Sequence, residues 1–278
     1  MTQLKDLNLL FPQWQGSGNS KGLFYGAKMI ADHFRTRLNF NEVPVNAQST
    51  NEIQNGIYAY SAITEQLQKA CHILERTNPN RILTIGGDCG VELAPVSFLN
   101  QQYSKDLAVI WFDAHGDLNI PEDSLSHHFH GMPLRSLLGD GNKKIIDSCF
   151  TNISPKQVIL VGGRDYDPAE KEFLLEKTIQ NFSVSQLTRE SESLVKLIQS
   201  HGFKNLYIHI DLDVLDPDCF PYVNYPSKNG LSLETLIKTI STLKNSFTIA
   251  GFSIVEFSPD GNSGLADIGE LLETSGFL

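Results

Sequence analysis

Cysteine, basic charge and long apolar runs are all scarce in this sequence. The 278 residues contain four cysteines, Cys71, Cys89, Cys149 and Cys219, with no CxxC spacing, which argues against both a disulfide framework and a structural zinc knuckle. Lys and Arg number 22 against 32 Asp and Glu, a formal charge of −10. Neutralising a phosphate backbone takes clustered basic residues, so no nucleic-acid partner is expected. No apolar run approaches the ~20 residues of a membrane span, so no membrane partner is expected either. The first six residues lack the basic-then-apolar pattern of a signal peptide, and the expectation is a cytoplasmic chain with reduced thiols. Pro/Gly/Ser-rich linkers, charge blocks and internal repeats are missing too, so residues 1–278 read as a single domain.

What the sequence does have is a globular composition, 41% hydrophobic and only 19% charged. Short β-branched and aromatic runs alternate with segments of helical periodicity, the pattern of an α/β domain with a mainly parallel central sheet between two helical layers. Strands are expected at residues 81–86, 107–113, 157–163, 206–213 and 249–256, each nearly continuous in apolar character, as suits strands covered on both faces. Helices are expected at 51–76, 191–201 and 233–244, the last opened by Ser232 as an N-cap. Polar residues follow four of the strands directly: Gly86-Gly87-Asp88-Cys89, Asp113-Ala114-His115-Gly116-Asp117, Asp211-Leu212-Asp213 and Glu256. Ligands of open α/β sheets bind beyond the carboxyl ends of the strands, so these clusters should meet at one site.

In Asp113-x-His115-x-Asp117 a spacing of two puts all three side chains on one face if the backbone stays extended, and the same holds for His209, Asp211 and Asp213. Four carboxylates and an imidazole facing one point repel strongly without a cation, which points to divalent metal. Two ions bridged by shared aspartates would hold a hydroxide usable as a nucleophile at neutral pH. The run His127-His128-Phe129-His130 begins ten residues past Asp117 and offers an acid/base or substrate contact, although a solvated loop would also account for it.

These residues resemble the ureohydrolase family of arginases, agmatinases and formimidoylglutamases, and its arginase branch most closely. Gly86-Gly87-Asp88 resembles the GGDH motif, residues 113–117 the DAHxD motif, residues 209–217 the SxDxDxxDP motif, and residues 255–259 the late glutamate motif. Gly16, Gly18, Gly22 and Gly26 resemble the family's Gly-rich N-terminal segment. The resemblance implies a three-layer α/β/α arginase-like fold and two divalent ions, manganese first among them. Asp113 and Asp211 would bridge the ions, His115 and Asp213 bind one, and Asp117 complete the other. The metal-held hydroxide would attack a guanidinium carbon that Glu256 orients, and His130 would pass a proton to the leaving amine. Asn119 and Ser126 stand where arginases contact the substrate carboxylate, Asp167 and Glu170 where they serve its amino end. As a structural alternative, Asp167-Pro168-x-Glu170 starts a helix. L-Arginine is the favoured substrate, with agmatine, guanidinobutyrate, formimidoylglutamate and guanidine behind it, and trimers or hexamers are implied.

The pattern breaks at several places. Cys89 replaces the usual metal-binding histidine; it serves either as a soft ligand that favours zinc, iron or cobalt, or as a packed small residue. Loss of that ion would leave a binding or regulatory protein rather than an enzyme. His209 replaces a serine, and a supporting or packing role is read ahead of a ligand role. His128 replaces an asparagine expected near the substrate carboxylate, and residues 225–230 depart from the usual small, Gly-rich loop.

Overall fold

A computed structural model describes residues 5–18, 20–189, 191–261 and 263–278. Residues 1–4, on which the reading of the N-terminus partly rests, lie outside it. The strands are β1 (Asp6–Phe11), β2 (Phe40–Glu42), β3 (Ile53–Gln54), β4 (Ile57–Tyr58), β5 (Arg81–Gly86), β6 (Leu107–Phe112), β7 (Val158–Val161), β8 (Gln180–Phe182), β9 (Asn205–Asp211) and β10 (Thr248–Val255). Eight of them form one sheet in the order β2-β1-β5-β10-β9-β6-β7-β8, parallel throughout.

Alternation along the strands sends side chains to two separate cores. Val109, Trp111 and Tyr207 pack with Ile63 and Leu67 of helix Tyr60–Thr77 and Leu99 of helix Leu93–Gln102. Ala108, Ile110 and Ile208 pack on the other face with Ile30, Ile198, Ile240 and Leu272, carried by helices Lys21–Phe34, Ser191–His201, Leu233–Ser246 and Leu265–Ser275. The result is the expected three-layer α/β/α domain with a parallel central sheet. Among the described residues no helix is long and apolar enough to cross a membrane.

From β5 the chain passes to β6, three positions along, and the last two strands fill the gap. The carboxyl ends of β5, β10, β9 and β6 are therefore neighbours at a topological switch point, where open α/β sheets place their ligands.

Several expected boundaries move. The helix expected from residue 51 begins at Tyr60, because Asn55 and Gly56, with φ of 55° and 70°, make the two-residue turn of a hairpin that pairs Ile53 with Tyr58. The strand expected at 157–163 is shorter, since Gln157 belongs to a 3-10 turn. The expected strand 206–213 ends at Asp211, with Asp213 inside the 3-10 turn Leu212–Val214. Helix 191–201 is as expected, and Ser232 accepts from the Thr235 amide as the N-cap of Leu233–Ser246.

Candidate metal centre and active site

The turn after β5 is built by close backbone approach. A Cβ on Gly87 would lie 1.7 Å from the Gln13 carbonyl oxygen, so only glycine fits there. Gly87 N donates to Phe11 O (3.0 Å) and Gly87 O accepts from Glu256 N (2.7 Å), tying the ends of β1, β5 and β10 together. Asp88, fully buried, caps the 3-10 turn Cys89–Glu92 by accepting from Gly90 N at 3.0 Å. Burial, helped by the Glu256 charge, raises its carboxyl to about 7. The turn also aims the Cys89 thiol at the end of β9, with Sγ 3.1 Å from Asp211 Oδ2.

The acidic side chains after β6 and β9 meet there, though not by extended backbone alone. Asp113 Oδ1 accepts from the His115 amide (2.6 Å), Asp211 Oδ1 from the Asp213 amide (2.8 Å), and Asp213 Oδ1 from the Ala114 amide (3.0 Å). Asp117 sits in left-handed backbone, φ 54°, so a bend rather than strand alternation returns it to the site. His115 Nδ1 lies 2.9 Å from Asp213 Oδ2 and 3.5 Å from Asp113 Oδ1.

Among the described residues three groups of donor atoms result, each mutually within 4.8 Å: Asp113, His115 and Asp213; Cys89, Asp113, Asp117 and His209; and Cys89, Asp211 and Glu256. Burial first, and neighbouring carboxylates second, push Asp113, Asp117, Asp211 and Glu256 above the ordinary carboxylate range. Burial and the same acids push the Cys89 thiol up. Burial acts to raise Asp213 as well, but the hydrogen bond and charge of His115 outweigh it and hold it low. Burial acts against charge on His115, yet Asp113 and Asp213 hold it far above the usual imidazole range. Divalent cations reverse this balance by favouring every ionised acid at once. The donor atoms suit them: Asp117 Oδ2, both Glu256 oxygens and His209 Nε2 are buried with no hydrogen-bond partner among the described residues.

His130 closes the site from the 3-10 turn Phe129–Gly131, anchored by the fully buried Phe129. Its Nδ1 is 3.5 Å from Glu256 Oε1, and burial lowers its pKa. Tyr225 stacks on it, ring centroids 4.9 Å apart. That contact gives a place to the departure at 225–230 but was not legible as a site contact in the sequence. Also missed were Glu92, whose carboxylate faces His209, and Trp111, whose Nε1 donates to Asp113 Oδ2 at 3.1 Å. Strand period alone could have flagged Trp111, two residues before Asp113.

The residues expected at the substrate's far end are arranged as a framework. Asn119 Nδ2 donates to Asp167 Oδ2 (2.9 Å), and Ser126 Oγ accepts from the His128 amide (3.2 Å). Glu170 is buried, with Oε1 accepting from Leu118 N and Oε2 from Asp167 N, both at 2.9 Å. Asp167 and Glu170 form a full capping box on helix Pro168–Lys177, so the helix-start reading holds for them.

The Arginase family profile matches residues 18–266. An arginase of Staphylococcus aureus (strain COL) is 32% identical over 232 residues, covering 80% of this chain and 76% of that protein. An arginase of Bacillus caldovelox is 32% identical over 184 residues, 64% of this chain and 61% of that one. The fold is also that of Entamoeba histolytica arginase solved with L-ornithine (TM-score 0.89, 21% identity, 99% of each chain). Bacillus subtilis formimidoylglutamase has it too (TM-score 0.78, 16% identity, 99% of this chain and 87% of that one). With a family profile over most of its length and a curated arginase 32% identical across 80% of it, the chain belongs to the arginase family of ureohydrolases, enzymes that hydrolyse a C–N bond of guanidino or amidino compounds.

Proposed function

We propose that this chain, acting as one metallohydrolase domain in the cytoplasm, hydrolyses L-arginine to L-ornithine and urea. One observation carries the reading: the carboxylates of Asp113, Asp117, Asp211 and Asp213 and the His115 imidazole are gathered beside a buried Glu256 that is 3.5 Å from His130. Two divalent ions held by the aspartates, His115 and Cys89 would supply a nucleophilic water at neutral pH, with manganese assigned to the His115 side. Neither Glu256 oxygen is taken up by a hydrogen bond among the described residues, and the carboxylate accepts charge-assisted hydrogen bonds from the substrate guanidinium. His130, whose pKa burial lowers, would take a proton from the attacking water and pass it to the leaving amine. Asn119, Ser126 and Asp167 receive the amino-acid end of the substrate. Glu170 acts behind them, since both its oxygens are engaged by backbone amides. The arginases among its relatives support arginine over agmatine, and the family resemblance implies a trimer or hexamer.

The test is urea release from L-arginine by protein incubated with manganese, against a metal-free control, with agmatine, guanidinobutyrate and formimidoylglutamate assayed alongside. Metal-dependent urea from L-arginine in preference to the others is expected. Turnover of another compound in its place would overturn the substrate assignment, and no turnover of any would overturn the hydrolytic reading of this site.

A further inference from the structure

His209 is fully buried on β9, where the parallel register sets it between Trp111 and Ser253. Its ring stacks on Trp111, centroids 3.7 Å apart and planes 24° from parallel, which fixes the imidazole plane. Nδ1 lies 3.3 Å from the Glu92 carboxylate oxygen Oε1 and shares a hydrogen bond of the same length with the Ser253 hydroxyl. A ring proton on Nδ1 would face the Glu92 carboxylate, whose oxygens have no hydrogen-bond partner among the described residues, and would leave the Nε2 lone pair uncommitted. Nε2 is buried with no hydrogen-bond partner among the described residues, and His209 lies in the donor group with Cys89, Asp113 and Asp117. Glu92 is fully buried as well, and its only ion-pair contact among the described residues is His209. A carboxylate taken so far from water is costly unless it serves a charged partner. An acid donating its charge to the far nitrogen of an imidazole whose near nitrogen points at a cation site is the arrangement that orients metal-ligating histidines and raises their basicity.

We propose that His209, positioned by Glu92, is a metal ligand, and that with Cys89, Asp113 and Asp117 it forms a nitrogen–sulfur–oxygen site that takes zinc or cobalt(II) in preference to manganese. The imidazole absent from position 89, on the turn after β5, is restored from β9, two strands away across β10. Four donors at tetrahedral separation from one ion are about 3.3–3.8 Å from each other, inside the 4.8 Å observed before any ion draws them together. One thiolate, one imidazole and two carboxylates match borderline ions, whereas manganese prefers all-oxygen or oxygen-rich sets. The inference rests on the hydrolase reading only for the ion expected next to it, at Asp113, His115 and Asp213.

The test uses the full chain, stripped by chelator and titrated with cobalt(II), with ions per chain counted by elemental analysis and no substrate present. The native chain should bind two ions and show a near-ultraviolet thiolate-to-cobalt charge-transfer band, which Cys89→Ser removes. His209→Gln should bind one ion instead of two, and Glu92→Gln should keep both ions with the affinity of one weakened about 10–100-fold. Zinc in one equivalent should abolish the band while equimolar manganese leaves it. A native chain without the band, or His209→Gln with two ions and an unchanged cobalt spectrum, overturns the proposal. Should His209→Gln fail to fold, X-ray absorption on the zinc-loaded native chain decides. Two imidazoles shared over two ions, from His115 and His209, support it; one overturns it. Urea assays separate the two readings: the band and two-ion count without turnover of any guanidino compound would uphold the ligand assignment and overturn the hydrolase one.

Discussion

The site holds two of its acids in backbone that side chains ordinarily avoid. Asp117 and Glu256 adopt φ of 54° and 60°, and His127 at 60° introduces the loop that carries His130. Such conformations cost on the order of 1–3 kcal/mol each and persist where the surroundings over-determine them, here the Glu256 amide on Gly87 O and the hydrogen bond His127 Nδ1 donates to Gly56 O. Within this cluster the acids are not equivalent. Asp113 belongs to two of the three donor groups, whereas His115 belongs to one. Asp113→Ala should therefore remove both ions and lower turnover by at least about a thousandfold, the several kcal/mol that a metal centre contributes to the transition state. His115→Ala should retain one ion. Ion counting and steady-state kinetics on both variants check this, and an active, two-ion Asp113→Ala protein would sink the site assignment.

At the scale of elements, Arg164 is the residue that fastens two loops at the carboxyl end of the sheet. Its guanidinium donates to the carbonyls of Gly162, Asp213, Val214, Leu215, Ser227 and Lys228 at 2.7–3.4 Å, joining the loop after β7 to the turn after β9 and to the segment that carries Tyr225. Arg164→Ala leaves several partly buried carbonyls without donors, and a loss of about 2–4 kcal/mol in unfolding free energy is expected, read by denaturant titration. A change below about 0.5 kcal/mol would show that these bonds do not fasten the loops. The central strands were legible because each is a near-continuous apolar run, and Asp113, Asp211 and Glu256 because they directly follow such runs. What was not legible depends on contacts between distant segments. Helix Lys21–Phe34 hides behind glycines: a Cβ on Gly26 would lie 1.9 Å from Phe257 O, so glycine there serves close packing of this helix against the residues after Glu256. Glu92 looks like an ordinary acid in a helix start, and only the placement of β9 beside β10 gives it His209 as a partner. The hairpin at Asn55-Gly56 was readable from its dipeptide but was absorbed into the helical periodicity that follows it.

For the whole molecule, the buried acids couple folding to pH and to metal. An acid whose pKa is raised on folding keeps, in the native chain, a proton that the unfolded chain has lost, so stability falls as pH rises through that window. Glu170 moves from 4.5 to about 7 by burial, partly offset by the Leu118 and Asp167 amides, and Asp113, Asp117, Asp211 and Glu256 move in the same direction. His115, raised from 6.5, adds stability below that value that is lost as pH rises through its folded pKa. His130 and His128, lowered by burial, act the other way as pH falls below 6.5, and Asp213, lowered from 3.8, acts only below that value. The raised groups outnumber the lowered ones between about pH 5 and pH 8, so the chelator-treated chain should melt at a lower temperature at the upper end. Divalent ions take the place of the retained protons and favour the ionised acids. At about 100 times its dissociation constant, one ion adds about 2.7 kcal/mol, or about 5–10 °C in a chain of this size. Melting followed by circular dichroism at both ends of this range, with and without ion, should show the midpoint of the stripped chain falling with pH and that of the loaded chain recovering at high pH. A stripped chain that grows more stable with rising pH, or that ignores added ion, would contradict a buried acidic cluster built to hold cations.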